Sequence, residues 1–408
     1  MPLRSLLLVV ALVCATPPTP TRAPVVRTGL DVVLTDSLGV LRGKRVGLIT
    51  NHTGIDAERR RNIDLLFHAA GVKLVALFGP EHGIGGVIEG GEHVGAATDS
   101  ATHLPVYSLY GETRVPTPEM LRGIDVLVYD IQDVGARVYT YVWTMSLAAD
   151  AAGKAGIPFV VLDRPNPIRA DRVGGTVLET PYRSFVGQYE VALRYGLTAG
   201  ELLRYLAGTG RVRANVTVIP MQGYRRSMWF SETGQPWVNP SPNIRDEETE
   251  VLYPGTVFFE ATNLSEGRGT DAPLKQVGAS WLTDAPALAD ALNARRFPGL
   301  RFEPRGGVAV STGQKEGGRT IPMVRLVVTN RDSADAITAA VWTLWSIRQR
   351  HPAEFKWQRG NGIEQLAGTA ELRRVVDSGT EADVRDMLAR WRRAAETFQN
   401  ETRPYWLY

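Results

Sequence analysis

Short apolar segments recur between amphipathic segments through the first half of the chain. Apolar runs without interior charge are typical of strands buried on both faces of a parallel sheet, whereas apolar residues three and four positions apart are typical of helices. The predicted strands are 45–50, 74–78, 106–109, 126–129 and 159–162, and the predicted helices are 56–70, 118–122 and 139–154. This alternation predicts an α/β fold with a doubly wound, mostly parallel sheet.

The second half of the chain has a different pattern. Thr198 and Glu201 form the capping box of a helix predicted over 199–206. Residues 224–243, rich in tryptophan, proline and asparagine, favour an ordered connection or a lid. Further strands are predicted at 216–220, 257–260, 307–310 and 323–329, and further helices at 285–294, 333–349 and 382–399. The chain length favours two domains, so we predict a first domain over 24–248 and a smaller α+β domain over 249–408.

The N-terminus has the pattern of a secretory signal. A basic start, an apolar stretch and small residues at the candidate cleavage points predict a signal peptide over 1–23. The apolar stretch is too short to be a membrane span. Cys14, the only cysteine, lies within this segment. We therefore expect an exported protein, periplasmic or extracellular, whose mature chain has no disulfide bond.

The charge of the chain excludes some classes of partner. Removal of 1–23 leaves 44 basic and 43 acidic residues, a formal charge of +1. Nucleic-acid binding proteins carry a basic patch, and no run of lysine and arginine points to one here or to a lipid surface. The expected partner is therefore a small or neutral molecule, and neither nucleic acid nor a membrane span is expected.

Candidate chemistry is concentrated in a long glycine-rich loop that follows the strand predicted at 74–78. The loop begins with Glu81 and His82 and also carries Glu89, Glu92 and further histidines. A loop of this length within a compact domain is usually functional or disordered. Carboxylates and imidazoles directly after a strand end therefore indicate a site.

Polar residues also follow three other predicted strands. Asn51 follows the first strand, and the remaining strand ends supply Asp130, Asp133, Arg137, Tyr139, Arg164 and Asn166. Ligands bind at the carboxyl ends of the strands in open parallel sheets, so these clusters are expected to share one rim. Each cluster alone is equally compatible with a helix cap or a turn. Their coincidence at four strand ends favours a binding site.

The remaining candidates lie around the predicted domain boundary. They are Asn243, Asn263, Glu266 and Arg268, the last of which is flanked by glycines that allow close backbone approach to a ligand. A dinucleotide fingerprint is absent because Ile88 stands where its third glycine would be, and no histidine spacing fits a metal site. No cofactor or metal is expected. Acids, arginines, asparagines and aromatic residues are the inventory of glycoside hydrolysis.

Several motifs resemble one known family in order and spacing. They are GPEHG, PVYSLYG, DIQDVGARVYTY, LDRPNP, SFVG, PWVNPSPN and YPGTVFFEATNLSEGRGT. The family is that of the NamZ-like exo-β-N-acetylmuramidases, formerly a domain family of unknown function, and the likeness covers residues 29–408. The resemblance implies a Rossmann-like first domain, a smaller second domain and a cleft between them. It also implies release of N-acetylmuramic acid from the non-reducing ends of peptidoglycan fragments.

The resemblance also implies residue roles. The family's catalytic glutamate maps onto Glu81, with Asp130 or Asp133 orienting it, stabilising positive charge or positioning water. Muramic acid carries a lactyl carboxylate, for which an arginine is a bidentate partner. The expected substrate-binding residues are Asn51, His82, Glu92, Arg137, Tyr139, Arg164, Asn166, Asn243, Asn263, Glu266 and Arg268, of which the three arginines are the candidates for this carboxylate.

Two other functions agree with the same residues. An exported sugar-binding protein would use the acids only as hydrogen-bond acceptors, and a hydrolase of another amino-sugar conjugate would use them differently. The stereochemical course also stays open between retaining, inverting and substrate-assisted hydrolysis, because it depends on the distance between carboxylates.

Overall fold

A computed structural model describes residues 25–360 and 362–408, so the predicted signal peptide over 1–23 lies outside the described residues. None of the described helices combines the length and apolar character that crossing a bilayer requires. The strands are β1 (Arg45–Thr50), β2 (Lys73–Gly79), β3 (Ala97–Thr98), β4 (Pro105–Ser108), β5 (Val126–Asp130), β6 (Phe159–Leu162), β7 (Gly174–Val177), β8 (Ala192–Arg194), β9 (Val216–Ile219), β10 (Gln276–Gly278), β11 (Leu300–Ala309) and β12 (Thr320–Val328). The α-helices are α1 (Gly29–Thr35), α2 (Asn62–Phe67), α3 (Pro118–Leu121), α4 (Tyr141–Lys154), α5 (Ala199–Gly208), α6 (Glu247–Thr256), α7 (Ala285–Ala294), α8 (Ala336–Arg350), α9 (Gly362–Ala367), α10 (Glu371–Ser378) and α11 (Glu381–Thr402).

The first domain is built on a seven-stranded sheet in the order β3-β4-β2-β1-β5-β6-β9. All of its pairings are parallel except that of the two-residue strand β3 with β4. The six parallel strands therefore follow the Rossmann order, with the change of winding direction between β1 and β5. This confirms the predicted α/β fold with a doubly wound, mostly parallel sheet.

Both faces of this sheet are covered. Along β5, Val126 and Val128 pack with residues of α1 and α2, whereas Leu127 and Tyr129 pack with residues of α4 and α5. The strand is buried along its whole length, because successive side chains point to opposite faces and helices cover each face. Because both faces of β5 are buried, its sequence is apolar throughout, and this apolar run is what predicted the strand.

The second domain contains an antiparallel sheet in the order β10-β12-β11, on which α7 packs. Helix α8 packs on α7, and α10 and α11 pack on α8. Apart from a small cluster of Val310, Ile321 and Met323, the buried apolar side chains of this domain belong to a core shared with the first domain. One apolar cluster of buried side chains runs from Phe78 and Trp143 in the first domain to Leu344 and Phe398 in the second. The predicted α+β character of this region is confirmed.

Two predicted elements are wrong in part or in whole. The helix predicted over 56–70 is formed only by α2, because the Asp56 carboxylate accepts hydrogen bonds from the backbone N–H groups of Glu58 (3.1 Å) and Arg60 (2.8 Å) and so stabilises a turn. The strand predicted over 257–260 is a 3-10 helix, Val257–Ala261, that continues α6. A short apolar run that is fully buried does not distinguish a strand from a helix.

The last residues of the chain return to the first domain. The Tyr408 hydroxyl donates to Asp163 Oδ2 (2.8 Å) just beyond β6 and accepts from the backbone N–H of Met221 (2.8 Å). The backbone N–H of Leu407 donates to Glu201 Oε1 (2.8 Å). The capping box of Glu201 with Thr198 is confirmed, and this glutamate also anchors the chain end.

Candidate active site

A cleft of about 760 Å³ lies where the two domains meet. Its first wall is the loop after β2 together with the connection between β5 and α4, and its second wall is formed by the second domain. The residues that carry polar or aromatic groups into it are Glu81, His82, Glu89, Glu92, Tyr110, Arg114, Tyr139, Thr140, Ser184, Phe185, Ser241, Asn243, Tyr253, Glu260, Glu266, Arg268, Gln314, Lys315 and Gln365. The cleft is thus rich in carboxylates and aromatic rings.

Glu81 is held on the first wall by contacts to both of its carboxylate oxygens. The Thr140 hydroxyl donates to Oε2 (2.5 Å), and the backbone N–H of Gly91 donates to Oε1 (2.9 Å). Thr140 immediately precedes α4, so the sheet and its first long helix position this contact. The Tyr110 ring also lines this wall, where burial and then the Glu81 charge raise the pKa of its hydroxyl to about 12.

The loop after β2 is folded back over the cleft. His82 adopts a positive φ of 68°, and its Nδ1 lies 2.6 Å from the carbonyl oxygen of Ile88, to which Nδ1–H must donate. Further along the loop, Glu89 accepts from Asn243 Nδ2 (3.1 Å). These contacts keep the loop against the connection that leads to the second domain.

Tyrosines form part of the cleft surface. The Tyr139 ring meets those of Tyr141 (4.7 Å between centroids) and Tyr253 (5.9 Å) in edge-to-face contacts. Burial raises the pKa of the Tyr139 hydroxyl well above its ordinary value, so this hydroxyl stays protonated. Such aromatic surfaces suit the apolar C–H faces of a sugar ring.

The second wall carries a network of opposite charges. Arg268 donates to Glu266 (2.9 Å) and Glu260 (2.7 Å), and Lys315 Nζ lies 2.9 Å from Glu266 Oε2. Burial opposes ionisation of Glu266, but the charges of Lys315 and Arg268 outweigh it and lower the pKa of this carboxyl. Predicted residues Glu81, His82, Glu92, Tyr139, Asn243, Glu266 and Arg268 all line the cleft, and the structure therefore brings seven candidates together.

Asp130 and Arg164 do not line this cleft. They form a buried ion pair in which Arg164 Nε donates to Asp130 Oδ1 (2.5 Å) and Nη2 donates to Oδ2 (3.0 Å). Asn62 Nδ2 also donates to Oδ2 (2.7 Å), and the aspartate side chain has no exposed surface. Their position therefore does not support direct contact with a substrate in the cleft.

Asp133 and Arg137 are likewise buried outside the cleft lining. Asp133 accepts from the Tyr195 hydroxyl and from the backbone N–H of Gly135, and burial raises the pKa of its carboxyl to about 6. Arg137 donates to the carbonyl oxygens of three residues, Thr176, Val191 and Leu366. It contacts no carboxylate of residues 25–360 or 362–408, and its burial lowers the pKa of its guanidinium to about 9.

Three predicted asparagines have structural partners. Asn51 Oδ1 accepts from the Thr53 hydroxyl (2.6 Å), and Asn166 Nδ2 donates to the carbonyl oxygen of Leu197 (2.8 Å). Asn263 bonds to the backbone of Glu354 and Lys356 within the second domain. None of the three lines the cleft. Asparagine side chains often bridge turns in this way, which the sequence alone does not distinguish from ligand binding.

Several cleft residues were not among the sequence candidates. They are Tyr110, Arg114, Thr140, Phe185, Glu260 and Lys315. Tyr110 lies in the motif PVYSLYG and Thr140 in DIQDVGARVYTY, so the two motifs include these residues without indicating a role. Lys315 comes from a turn of the second domain, and nothing in its local pattern points to the cleft. Among the described residues, no three His, Cys, Asp or Glu side chains are grouped as a metal site would require.

Fold and cleft together define a class of protein. A two-domain α/β protein with a glutamate, further carboxylates and tyrosines in one interdomain cleft has the architecture of a carbohydrate-active enzyme. The family model for the N-terminal part of the exo-β-N-acetylmuramidase NamZ matches residues 46–248, and the model for its C-terminal part matches residues 251–408. The chain belongs to the exo-β-N-acetylmuramidase NamZ family.

Individual relatives agree with this assignment. The peptidoglycan β-N-acetylmuramidase NamZ of Bacillus subtilis (strain 168) is 39% identical over 387 residues, which cover 95% of this chain and 92% of the relative. Two crystal structures of DUF1343 family proteins from Bacteroides fragilis NCTC 9343 have the same fold. The first is 36% identical with a TM-score of 0.87, and the match covers 95% of this chain and 100% of the chain in that structure. The second is 26% identical with a TM-score of 0.74, and the match covers 94% of this chain and 99% of the chain in that structure.

Proposed function

We propose that this protein is an exo-acting glycoside hydrolase that releases N-acetylmuramic acid from the non-reducing ends of peptidoglycan fragments. The family assignment and the similarity to the Bacillus subtilis enzyme support this activity. The observation that carries it is the position of Glu81, the residue of the family's glutamate motif, inside the interdomain cleft with both carboxylate oxygens oriented.

Glu81 is proposed as the general acid that protonates the leaving glycosidic oxygen. The Thr140 hydroxyl donates to the carboxylate and equally accepts from the carboxylic acid, so this one contact serves both protonation states. The backbone N–H of Gly91 fixes the orientation of the other oxygen. After proton transfer, the same carboxylate can accept a proton from the attacking water.

A second group must act on the opposite face of the sugar. Asp130 and Asp133 lie outside the cleft lining, whereas Glu89, Glu92, Glu260 and Glu266 lie within it, the last two paired with Arg268. The substrate's own 2-acetamido group is the alternative nucleophile. Apart from Glu81, Glu89 and Glu92 are the cleft carboxylates without a lysine or arginine partner among the described residues, so loss of turnover in Glu89→Gln or Glu92→Gln would support a carboxylate route.

Export is part of the proposal. The basic start and apolar stretch within residues 1–23 are the pattern of a signal peptide, and peptidoglycan lies outside the cytoplasm. N-terminal sequencing of the protein recovered from the cell exterior or the periplasm tests this point. Recovery of the uncleaved chain from the cytoplasm alone would contradict export.

Replacement of Glu81 by Gln tests the proposed reaction. The amide keeps the size of the side chain but removes the transferable proton, so we expect kcat on para-nitrophenyl β-N-acetylmuramic acid to fall by about 10²- to 10⁴-fold. The exposed Glu119 provides a matched control, and Glu119→Gln should keep full activity with the same melting temperature.

The outcomes separate the competing functions. Release of para-nitrophenol from the muramide but not from the matching β-N-acetylglucosaminide supports a muramidase. Binding of N-acetylmuramic acid without release from either substrate would indicate a sugar-binding protein. Full activity of the folded Glu81→Gln variant would remove Glu81 from the reaction.

A further inference from the structure

Three side chains of lysine or arginine line the cleft, and they differ in their partners. They are Arg114, Arg268 and Lys315. The proposed sugar carries a lactyl carboxylate, and an anionic group in a cleft requires a cation that is not already neutralised. The partners of each cation therefore decide which one is available to a substrate.

Arg268 and Lys315 are both committed to the protein. Each terminal nitrogen of Arg268 donates to a carboxylate, one to Glu266 and one to Glu260. Lys315 Nζ contacts Glu266 and, in addition, three backbone carbonyl oxygens at 2.9–3.2 Å. A substrate carboxylate would have to displace these partners and would meet the two glutamates.

Arg114 has a different environment. Its guanidinium carbon lies 4.2 Å from the centroid of the Phe185 ring and 5.4 Å from that of Tyr110. No carboxylate lies within 4.0 Å of it in the part of the chain that the structure describes. A guanidinium packed on aromatic faces keeps its N–H edge available for a planar anion.

The same aromatic ring connects Arg114 with the proposed general acid. Tyr110 packs under the guanidinium with its ring, while its hydroxyl is close enough to Glu81 for the carboxylate charge to raise the pKa of that hydroxyl. The lactyl ether and the anomeric carbon belong to one monosaccharide. A cation that contacts the lactyl carboxylate must therefore lie near the acid, and Tyr110 borders both Arg114 and Glu81 in the cleft.

We propose that Arg114 binds the lactyl carboxylate of the terminal muramic acid and so determines the specificity of the cleft for muramic acid over glucosamine. The proposal rests on the proposed muramidase function. It replaces Arg137, Arg164 and Arg268, the sequence candidates, each of which is held by protein groups in the structure. Phe185 and Tyr110 hold the guanidinium in place and are positioning residues.

Kinetics on paired substrates test this assignment. The substrates are the para-nitrophenyl β-N-acetylmuramide with a free lactyl carboxylate and its lactyl methyl ester. For Arg114→Met we expect kcat/KM on the free acid to fall by about 10- to 100-fold, the size of a lost charge-assisted hydrogen bond, with most of the change in KM. Turnover of the ester should change less than threefold, and Arg114→Lys should restore part of the loss.

Two further readouts separate a specific role from a structural one. The difference between wild type and Arg114→Met on the free acid should shrink at 1 M salt, because the site is exposed to solvent. Arg122→Met, an exposed arginine outside the cleft, should behave as wild type on both substrates. Equal losses on acid and ester, or no loss on either, would overturn the assignment to Arg114 while the muramidase function stands.

Binding distinguishes failure of this proposal from failure of the proposed function. If the wild type hydrolyses neither muramide, calorimetric titration of the Glu81→Gln variant with N-acetylmuramic acid and with N-acetylglucosamine still compares the two sugars. The Glu81→Gln variant should bind N-acetylmuramic acid more tightly than N-acetylglucosamine. Loss of this preference in the Glu81→Gln/Arg114→Met double variant would support the role of Arg114 even without turnover. Equal affinity of both variants for both sugars contradicts it.

Discussion

Three buried carboxyl groups titrate at higher pH than free carboxyls do. Burial raises the pKa of Asp133 to about 6 and that of Asp163 to about 7, and it raises the pKa of Glu250 well above its ordinary value. The folded protein thus keeps protons that the unfolded chain releases. Stability from these groups is fully present below the ordinary carboxyl range and is lost as the pH rises through the folded pKa values.

Glu250→Gln is expected to stabilise the protein at high pH. Glu250 is 1% exposed on α6, its Oε2 has no hydrogen-bond partner among the residues that the structure describes, and the isosteric amide does not titrate. The free energies of unfolding of variant and wild type should be similar at pH 4.5. As the pH rises above 4.5, the free energy of unfolding of the variant should increase relative to that of the wild type. The increase is at most about 1.4 kcal/mol per pH unit, because a single proton is involved. Urea unfolding at pH 4.5, 6 and 8 measures this, and a difference that is independent of pH would contradict it.

At the scale of elements, the strands were the most predictable part of the chain. β1 and β6 have the predicted bounds because a parallel strand covered on both faces must be apolar along its length. The polar residues that follow the strands were harder to interpret. Asp130 ends β5, Arg164 follows the adjacent strand β6, and the two neutralise each other. A sequence without coordinates does not show which charges face each other. Arg114 lies on an ordinary loop and was missed for the same reason.

The segment over 405–408 is an element whose contribution to stability can be measured. Tyr408→Phe removes the hydroxyl that donates a hydrogen bond to Asp163, and we expect a loss of about 1–3 kcal/mol in the free energy of unfolding. The loss should be larger above pH 7 than at pH 5, because the hydrogen bond favours the ionised carboxyl whose pKa is about 7. Tyr405→Phe is the matched control, since the Tyr405 hydroxyl has no hydrogen bond to the described part of the chain. An equal loss at both pH values would show that Asp163 does not titrate there.

At the scale of the whole molecule, the two domains share one apolar core and are tied by Arg137, which bonds to backbone on both sides. We therefore expect one cooperative thermal transition, with calorimetric and van't Hoff enthalpies that agree. Differential scanning calorimetry tests this. Two resolved transitions, or a stable fragment over 25–248, would show that the domains fold independently.

The domain arrangement also explains what the sequence did and did not reveal about the cleft. Polar residues after β2 and β5 were expected at one rim because parallel strands end at the same edge. The opposite wall of the cleft comes from the second domain. The hydrophobic pattern of the sequence does not show how that domain packs against the first. Glu266 and Arg268 were therefore found through their motif, whereas Lys315 was not.

The attachment of residues 405–408 to the first domain sets an order of events during synthesis. A ribosome makes the sheet of the first domain long before it makes Tyr408, yet the carboxyl groups of Asp163 and Glu201 receive part of their hydrogen bonds from this late segment. A nascent chain that stops short of it leaves two buried acids with missing donors. The native state is then reached only after nearly the whole chain has been made.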